Sequence, residues 1–87
     1  MIDANAFPDG HTVHTDLCIV GGGVAGLTLA REFMGQQREV CILEQGGITD
    51  EAETQKLLRG RVVGYPYWGL NFSRHAQVGG TSHRWNV

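Results

Sequence analysis

Beyond Glu53 the chain has no acidic residue. Residues 1–53 carry all nine Asp and Glu together with Arg31 and Arg38, whereas residues 54–87 carry five bases (Lys56, Arg59, Arg61, Arg74, Arg84) and no acid. The net charge of the whole chain is only −2, and the bases are scattered. Nucleic acid and anionic membrane are therefore not expected partners. Cysteine is scarce as well, at two residues. Cys18 and Cys41 have neither C-x-x-C spacing nor a nearby histidine, which argues against a metal site or a bridge between the adjacent strands and predicts buried thiols in a reduced compartment. No run approaches the ~20 apolar residues of a membrane span. Nor does a basic segment followed by an apolar one open the chain, so a cytoplasmic location is expected. Length is the last scarcity: a chain of 87 residues buries only about 60 to 65% of its unfolded surface and is marginal without a ligand or partner.

Glycine, in contrast, is abundant, with 13 residues, and its placement is informative. Leu17-Cys18-Ile19-Val20 is an apolar strand pattern that runs straight into Gly21-Gly22-Gly23-Val24-Ala25-Gly26, and a helical pattern follows. A G-x-G-x-x-G pattern alone is weak. At a strand-to-helix junction, with an acid closing the next strand, it reads as a dinucleotide-binding βαβ unit. Gly21 permits the tight turn, Gly23 leaves no Cβ where backbone approaches a pyrophosphate, and Gly26 lets the helix lie close to the sheet. The helix N-terminus then offers unpaired N–H groups to phosphate. No lysine follows in the P-loop pattern, so a nucleoside triphosphate with magnesium is the poorer reading. Glu44 falls about 20 residues past the glycines, the separation at which an acid reaches the adenosine ribose hydroxyls. Its charge opposes a 2′-phosphate, which disfavours NADP.

The first strand is expected over residues 16–20, buried on both faces as in a parallel sheet. A helix is expected over 24–34, packing Gly26, Ala30 and Phe33 inward and stopping at Gly35 in the left-handed conformation. The second strand is expected over 39–43. Asp50 and Glu53 resemble a capping box for a short helix reaching about Leu58. Residues 61–78 show no clean period and are expected as an irregular loop, with Tyr65-Pro66-Tyr67-Trp68 packed on the core. Gly79-Gly80-Thr81-Ser82 offers backbone N–H groups and two hydroxyls, the makings of an anion nest. Residues 1–15 form an arm with a turn at Pro8-Asp9-Gly10 and solvated His11 and His14. The fold class is thus α/β, a Rossmann-like FAD/NAD(P)-binding βαβ unit over 16–87, incomplete, with an irregular C-terminal extension.

The run from Asp16 to Gly26, together with Val40-Cys41-Ile42-Leu43-Glu44-Gln45-Gly46-Gly47, resembles the FAD-binding start of the glucose-methanol-choline (GMC) oxidoreductases. Gly64-Tyr65-Pro66-Tyr67 and Gly79-Gly80-Thr81-Ser82-His83-Arg84-Trp85 resemble the bacterial branch that acts on sugars and sugar acids. The resemblance implies that Gly21, Gly23 and Gly26, with Val24 and Ala25 between them, line the FAD pyrophosphate. It implies that Glu44, with Gln45 beside it, meets the adenosine ribose, and that Gly79, Gly80, Thr81 and Ser82 pass beside the flavin. Two departures stand out. The glycine usual near Gln37 is missing, and the position that holds a flavin-linked histidine in the related pyranose oxidases is Arg84 here, with His83 one place earlier. Covalent flavin through His83 is thus disfavoured. Family members run to several hundred residues, and the resemblance places the substrate domain and catalytic histidine in the part not matched here; none of the four histidines of this chain is assigned that role by the sequence. The implied function is an N-terminal fragment of an FAD-dependent oxidoreductase of CH–OH groups in alcohols or sugars, with a complementing C-terminal half as partner. Alternatives are a non-catalytic nucleotide-binding remnant and an NAD-binding fragment.

Overall fold

A computed structural model of the chain describes residues 1–83. Two strands, β1 (Leu17–Val20) and β2 (Val40–Leu43), pair in parallel, with Leu17 opposite Val40 and Val20 opposite Leu43. Parallel neighbours need a long crossover. It is supplied by α1 (Val24–Glu32). The architecture of the described residues is therefore mixed α/β around a two-stranded parallel sheet.

Register is set at the lower end of the sheet by polar groups. Asp16 Oδ2 accepts from Glu39 N at 2.8 Å, and Thr15 Oγ1 donates to Glu39 O at 2.9 Å. These bonds hold the first residues of both strands level before the apolar pairs begin. Helix α1 consists mainly of good helix formers, and its Gly26, Ala30 and Phe33 are the partly covered positions, as the spacing predicts. It ends at Glu32, two residues earlier than expected, and Gly35 then adopts φ +81°.

One face of the sheet is covered and the other is open, contrary to the expectation of burial on both. Ile19, 7% exposed, packs on the α1 side, while Val20 on the opposite face is 84% exposed. Cys18 shares that open face and is exposed; Cys41 is half-buried. The buried-thiol expectation fails for Cys18 because, among the described residues, α1 is the one helix laid across these strands, and a pleated strand sends alternate side chains to opposite sides.

After β2 the chain makes α2 (Ala52–Gln55), which tightens into a 3-10 turn over Lys56–Leu58. Asp50 does not cap it. The N-cap is Glu51, whose side chain makes no capping bond but accepts from Thr54 Oγ1 and lies against Gly47. A one-turn helix α3 (Leu70–Ser73) interrupts the stretch expected to be irregular. Tyr65, Tyr67 and Trp68 are exposed rather than packed on a core. At the N-terminus a 3-10 turn over Ala4–Ala6 is capped by Asp3, and Phe7 stacks on the exposed His11 at 4.4 Å.

What closes the structure is a strap, residues 74–79, that runs back across the carboxyl ends of the strands. Its Ala76 and Gln77 are 3% and 6% exposed, and with Ile19 and Gly22 they make up the buried centre of the described residues. Gln55 holds the strap from outside: its Nε2 donates to Asn71 O and Arg74 O, and its Oε1 accepts from Ala76 N. Gln77 is satisfied in turn, donating to Ile48 O and facing His75 Nδ1 at 3.1 Å. A buried amide is tolerated here because its polar atoms find partners.

Candidate functional site

At the carboxyl end of β1 the chain must turn sharply into α1, and Gly21 does so at φ +102°, a value that excludes most side chains. Gly23 is the N-cap of α1, with no side-chain cap. The N–H groups of Val24, Ala25 and Gly26, which a helix leaves without internal acceptors, therefore stand at the glycine-rich turn. A Cβ on Gly26 would collide with the Gly21 carbonyl oxygen and press on Ile19 Cγ2 at 3.3 Å. Close contact of helix and strand thus depends on glycine at that position.

Glu44 leaves the end of β2 and reaches the same turn. Its Oε2 accepts from Gly22 N at 2.6 Å and its Oε1 from Gly46 N at 2.9 Å. Both are charge-assisted bonds to backbone, stronger than neutral ones. The carboxylate therefore clamps the glycine-rich turn to the end of the second strand. An ionised carboxylate has about four acceptor positions, so two bonds leave capacity for hydroxyl donors. Gln45, next along, is exposed.

The second glycine-rich element joins the first. Gly79 N donates to Gly22 O at 2.7 Å, Gly79 bridges Gly23 in parallel, and a Cβ on Gly80 would stand 3.0 Å from Gly23 Cα. Gly79 and Gly80 both have positive φ, +92° and +62°. The two hydroxyls that follow are largely occupied: Thr81 Oγ1 accepts from His75 N at 3.3 Å, and Ser82 Oγ donates to Gly79 O at 2.7 Å. A hydroxyl has one hydrogen to give, so in this arrangement Ser82 offers an approaching anion no donor, while Thr81 keeps its own. His83 Nε2 lies 2.9 Å from Val78 O, folded back over its own turn. Arg84 and Trp85, which belong to the resemblance and to the covalent-flavin comparison, lie outside the described residues.

Between these parts lies a shallow, open groove of about 220 Å³. Val20 and Gly21 form one side, Leu43, Glu44 and Gln45 another, and His75 and Ala76 of the strap a third. It sits at the carboxyl ends of parallel strands, where open α/β sheets bind ligands. A larger concavity of about 370 Å³ lies over Pro66, Tyr67 and Trp68. That one is aromatic surface away from the glycine-rich turns. Of the residues singled out in the sequence, Gly21, Gly23, Gly26, Glu44, Gly79 and Gly80 converge on one place. Sequence reasoning missed the strap residues His75, Ala76 and Gln77 as part of it. Only the proximity of His75 to the second glycine pair hinted at them. No group of three or more His, Cys, Asp or Glu suited to a metal ion occurs among the described residues, and no helix among them is long and apolar enough to cross a membrane.

No family model matches the chain, and no solved structure matches it. It is similar to 6-methylpretetramide 4-monooxygenase of Streptomyces rimosus, with 38% identity over 52 residues. That stretch is 60% of this chain and 12% of the monooxygenase, so the chain spans a small part of the curated relative it matches.

Proposed function

We propose that this chain is the segment of an FAD-dependent oxidoreductase that cradles the AMP and pyrophosphate half of the cofactor. The observation that carries the reading is the convergence of two glycine-rich turns far apart in sequence, joined through Gly79 N and Gly22 O and set beside a strand-end carboxylate. The residues fit such a group: an uncapped helix N-terminus favours phosphate, and the space where a Gly23 Cβ would project holds nothing nearer than Gly80 Cα at 3.9 Å. On this reading Gly21, Gly23, Val24, Ala25 and Gly26 face the pyrophosphate, Glu44 and Gln45 the ribose, and Gly79, Gly80 and Thr81 the side toward the flavin. Ser82 positions that turn rather than donating to the ligand. The likeness to a protein named a monooxygenase supports an oxidoreductase. Residues 16–87 are then the first part of a Rossmann-like domain.

The finer assignment, to GMC enzymes that oxidise CH–OH groups of alcohols or sugars, rests on the motif around residues 79–85. Bound flavin would supply the two-electron acceptor. The residues of this chain bind and orient it; removal of a substrate proton belongs to residues elsewhere. An NAD-binding segment is the competing reading. Titration of the chain with ADP, FAD, NAD and NADP, followed by fluorescence or calorimetry, separates them. The proposal expects FAD and ADP to bind and NADP to bind worst, because its 2′-phosphate would approach Glu44. Tighter NAD than FAD would favour the competitor, and no binding by any of the four would remove the nucleotide reading.

A further inference from the structure

Gly46 does not have a positive φ, so its own backbone conformation does not call for glycine. What calls for it is the strap: a Cβ on Gly46 would collide with the Ala76 carbonyl and with Gln77 N. Seated against Gly46, the strap bonds to the loops after both strands. On the β2 side Val78 N donates to Gly47 O at 2.9 Å and Gln77 Nε2 to Ile48 O at 3.3 Å; on the β1 side Gly79 N donates to Gly22 O at 2.7 Å. Gly22 is therefore held twice, its carbonyl by the strap and its N–H by Glu44 Oε2. From outside, the Gln55 amide bonds Asn71 O, Arg74 O and Ala76 N. Neither Gly46 nor Gln55 lines the groove beside Glu44, whereas His75 and Ala76 of the strap do.

We infer that Gly46 and Gln55 are positioning residues of the nucleotide site, acting through the strap; the inference rests on the cradle reading given above. The N–H of Gly22 belongs to the peptide plane before its Cα and the carbonyl to the plane after it, so anchoring both fixes φ and ψ at a residue with no side chain to restrict them. The second of those planes also carries Gly23 N, at the turn that faces the pyrophosphate. A seated strap thus presents the glycine-rich turn already ordered. Without that seat the ligand itself must order the turn, and the entropy lost is subtracted from its affinity. Coupling of this kind is reciprocal: a nucleotide that binds better when the strap is seated must also hold the strap in place.

The test is calorimetric titration with ADP and amide hydrogen exchange on the full chain, unaltered and as Gly46→Ala and Gln55→Ala. Alanine at position 46 keeps the N–H that bonds Glu44 Oε1. The informative amides are Val78 and Gly79, because their acceptors are backbone oxygens of Gly47 and Gly22 that neither substitution removes. In either variant both amides should exchange about tenfold faster or more, with α1 little changed, and the ADP Kd should rise about fivefold or more. Saturating ADP should slow both amides in the unaltered chain and in Gln55→Ala, a response that a merely bracing role would not produce. Gln55→Ala leaves the Gly46 seat intact and keeps the inference open to refutation where Gly46→Ala fails to fold. Strap amides unmoved in a folded variant, an unchanged Kd despite faster strap exchange, or ADP that binds without slowing these amides would each overturn the inference and leave the cradle standing. An unaltered chain that binds no ADP would instead remove the cradle, and this inference with it.

Discussion

Glu44 has one job in the fold and a second in the proposed complex. Its carboxylate accepts from Gly22 N and Gly46 N, and in the proposed complex it also accepts from ribose. Replacement by alanine is expected to weaken ADP binding by about 1.5 to 3 kcal/mol, the range for losing a hydrogen bond to a charged group, or roughly tenfold to 150-fold in Kd. Isothermal titration checks this, and an unchanged Kd would put Glu44 outside the ligand's reach. The Gly23→Val substitution is expected to abolish binding altogether, since it fills the space above the helix N-terminus; the same titration reads it, and affinity within a factor of a few would refute the cradle. At this scale the placement of Glu44 beside the glycine-rich turn was legible. An acid about 20 residues past a glycine-rich turn announces itself, because the spacing is a local property of one βαβ unit. That the same carboxylate would clamp Gly22 was not legible, since the bond joins residues 22 positions apart and exists once the strands are in register.

Among the elements, β1, α1 and β2 were readable from period and punctuation alone. Their ends moved by one or two residues, as helix and strand ends do when terminal turns fray. The strap was not readable. Arg74-His75-Ala76-Gln77 has no hydrophobic period, and its burial comes from where it is laid, under the hold of Gln55. That hold makes a prediction belonging to this scale. Gln55→Ala removes two donors and an acceptor from three backbone groups on α3 and the strap, at an expected cost of about 1 to 3 kcal/mol for the groups left unpaired. Hydrogen exchange at the Ala76 amide should accelerate by a factor of ten or more, while amides within α1 change little. Uniform acceleration throughout the chain would instead mean that the strap is not a separate unit. The failed capping box has a similar origin: Asp50 and Glu53 have the right spacing, but Glu51 takes the cap position and turns its carboxylate to Thr54.

For the molecule as a whole, surface is the governing quantity. The chain exposes 7392 Å², whereas a compact protein of 9.5 kDa exposes about 5,000 Å². Its radius of gyration is 15.3 Å against about 12 Å for a compact chain of this length. Two apolar residues with side chains of any size, Ile19 and Ala76, are buried among those described, and neither completely. Such a structure gains much of its stability from whatever binds it. ADP at one hundred times its Kd should therefore add about 2.7 kcal/mol and raise the unfolding midpoint by roughly 10 °C or more; scanning fluorimetry with and without nucleotide measures the shift. Absence of any shift at saturating ligand would mean that the cradle is not what the fold is built around. By itself the sequence determined the βαβ unit, the turn glycines and the acid at the second strand's end, because these depend on short-range sterics and on spacing within one supersecondary unit. Tertiary structure alone decided that Gly79 and Gly80 meet Gly22 and Gly23, that the strap forms the buried centre, and that one face of the sheet stays open. Each of those outcomes depends on contacts between segments about twenty or more residues apart, or on the layers available to cover a surface, and local pattern encodes neither.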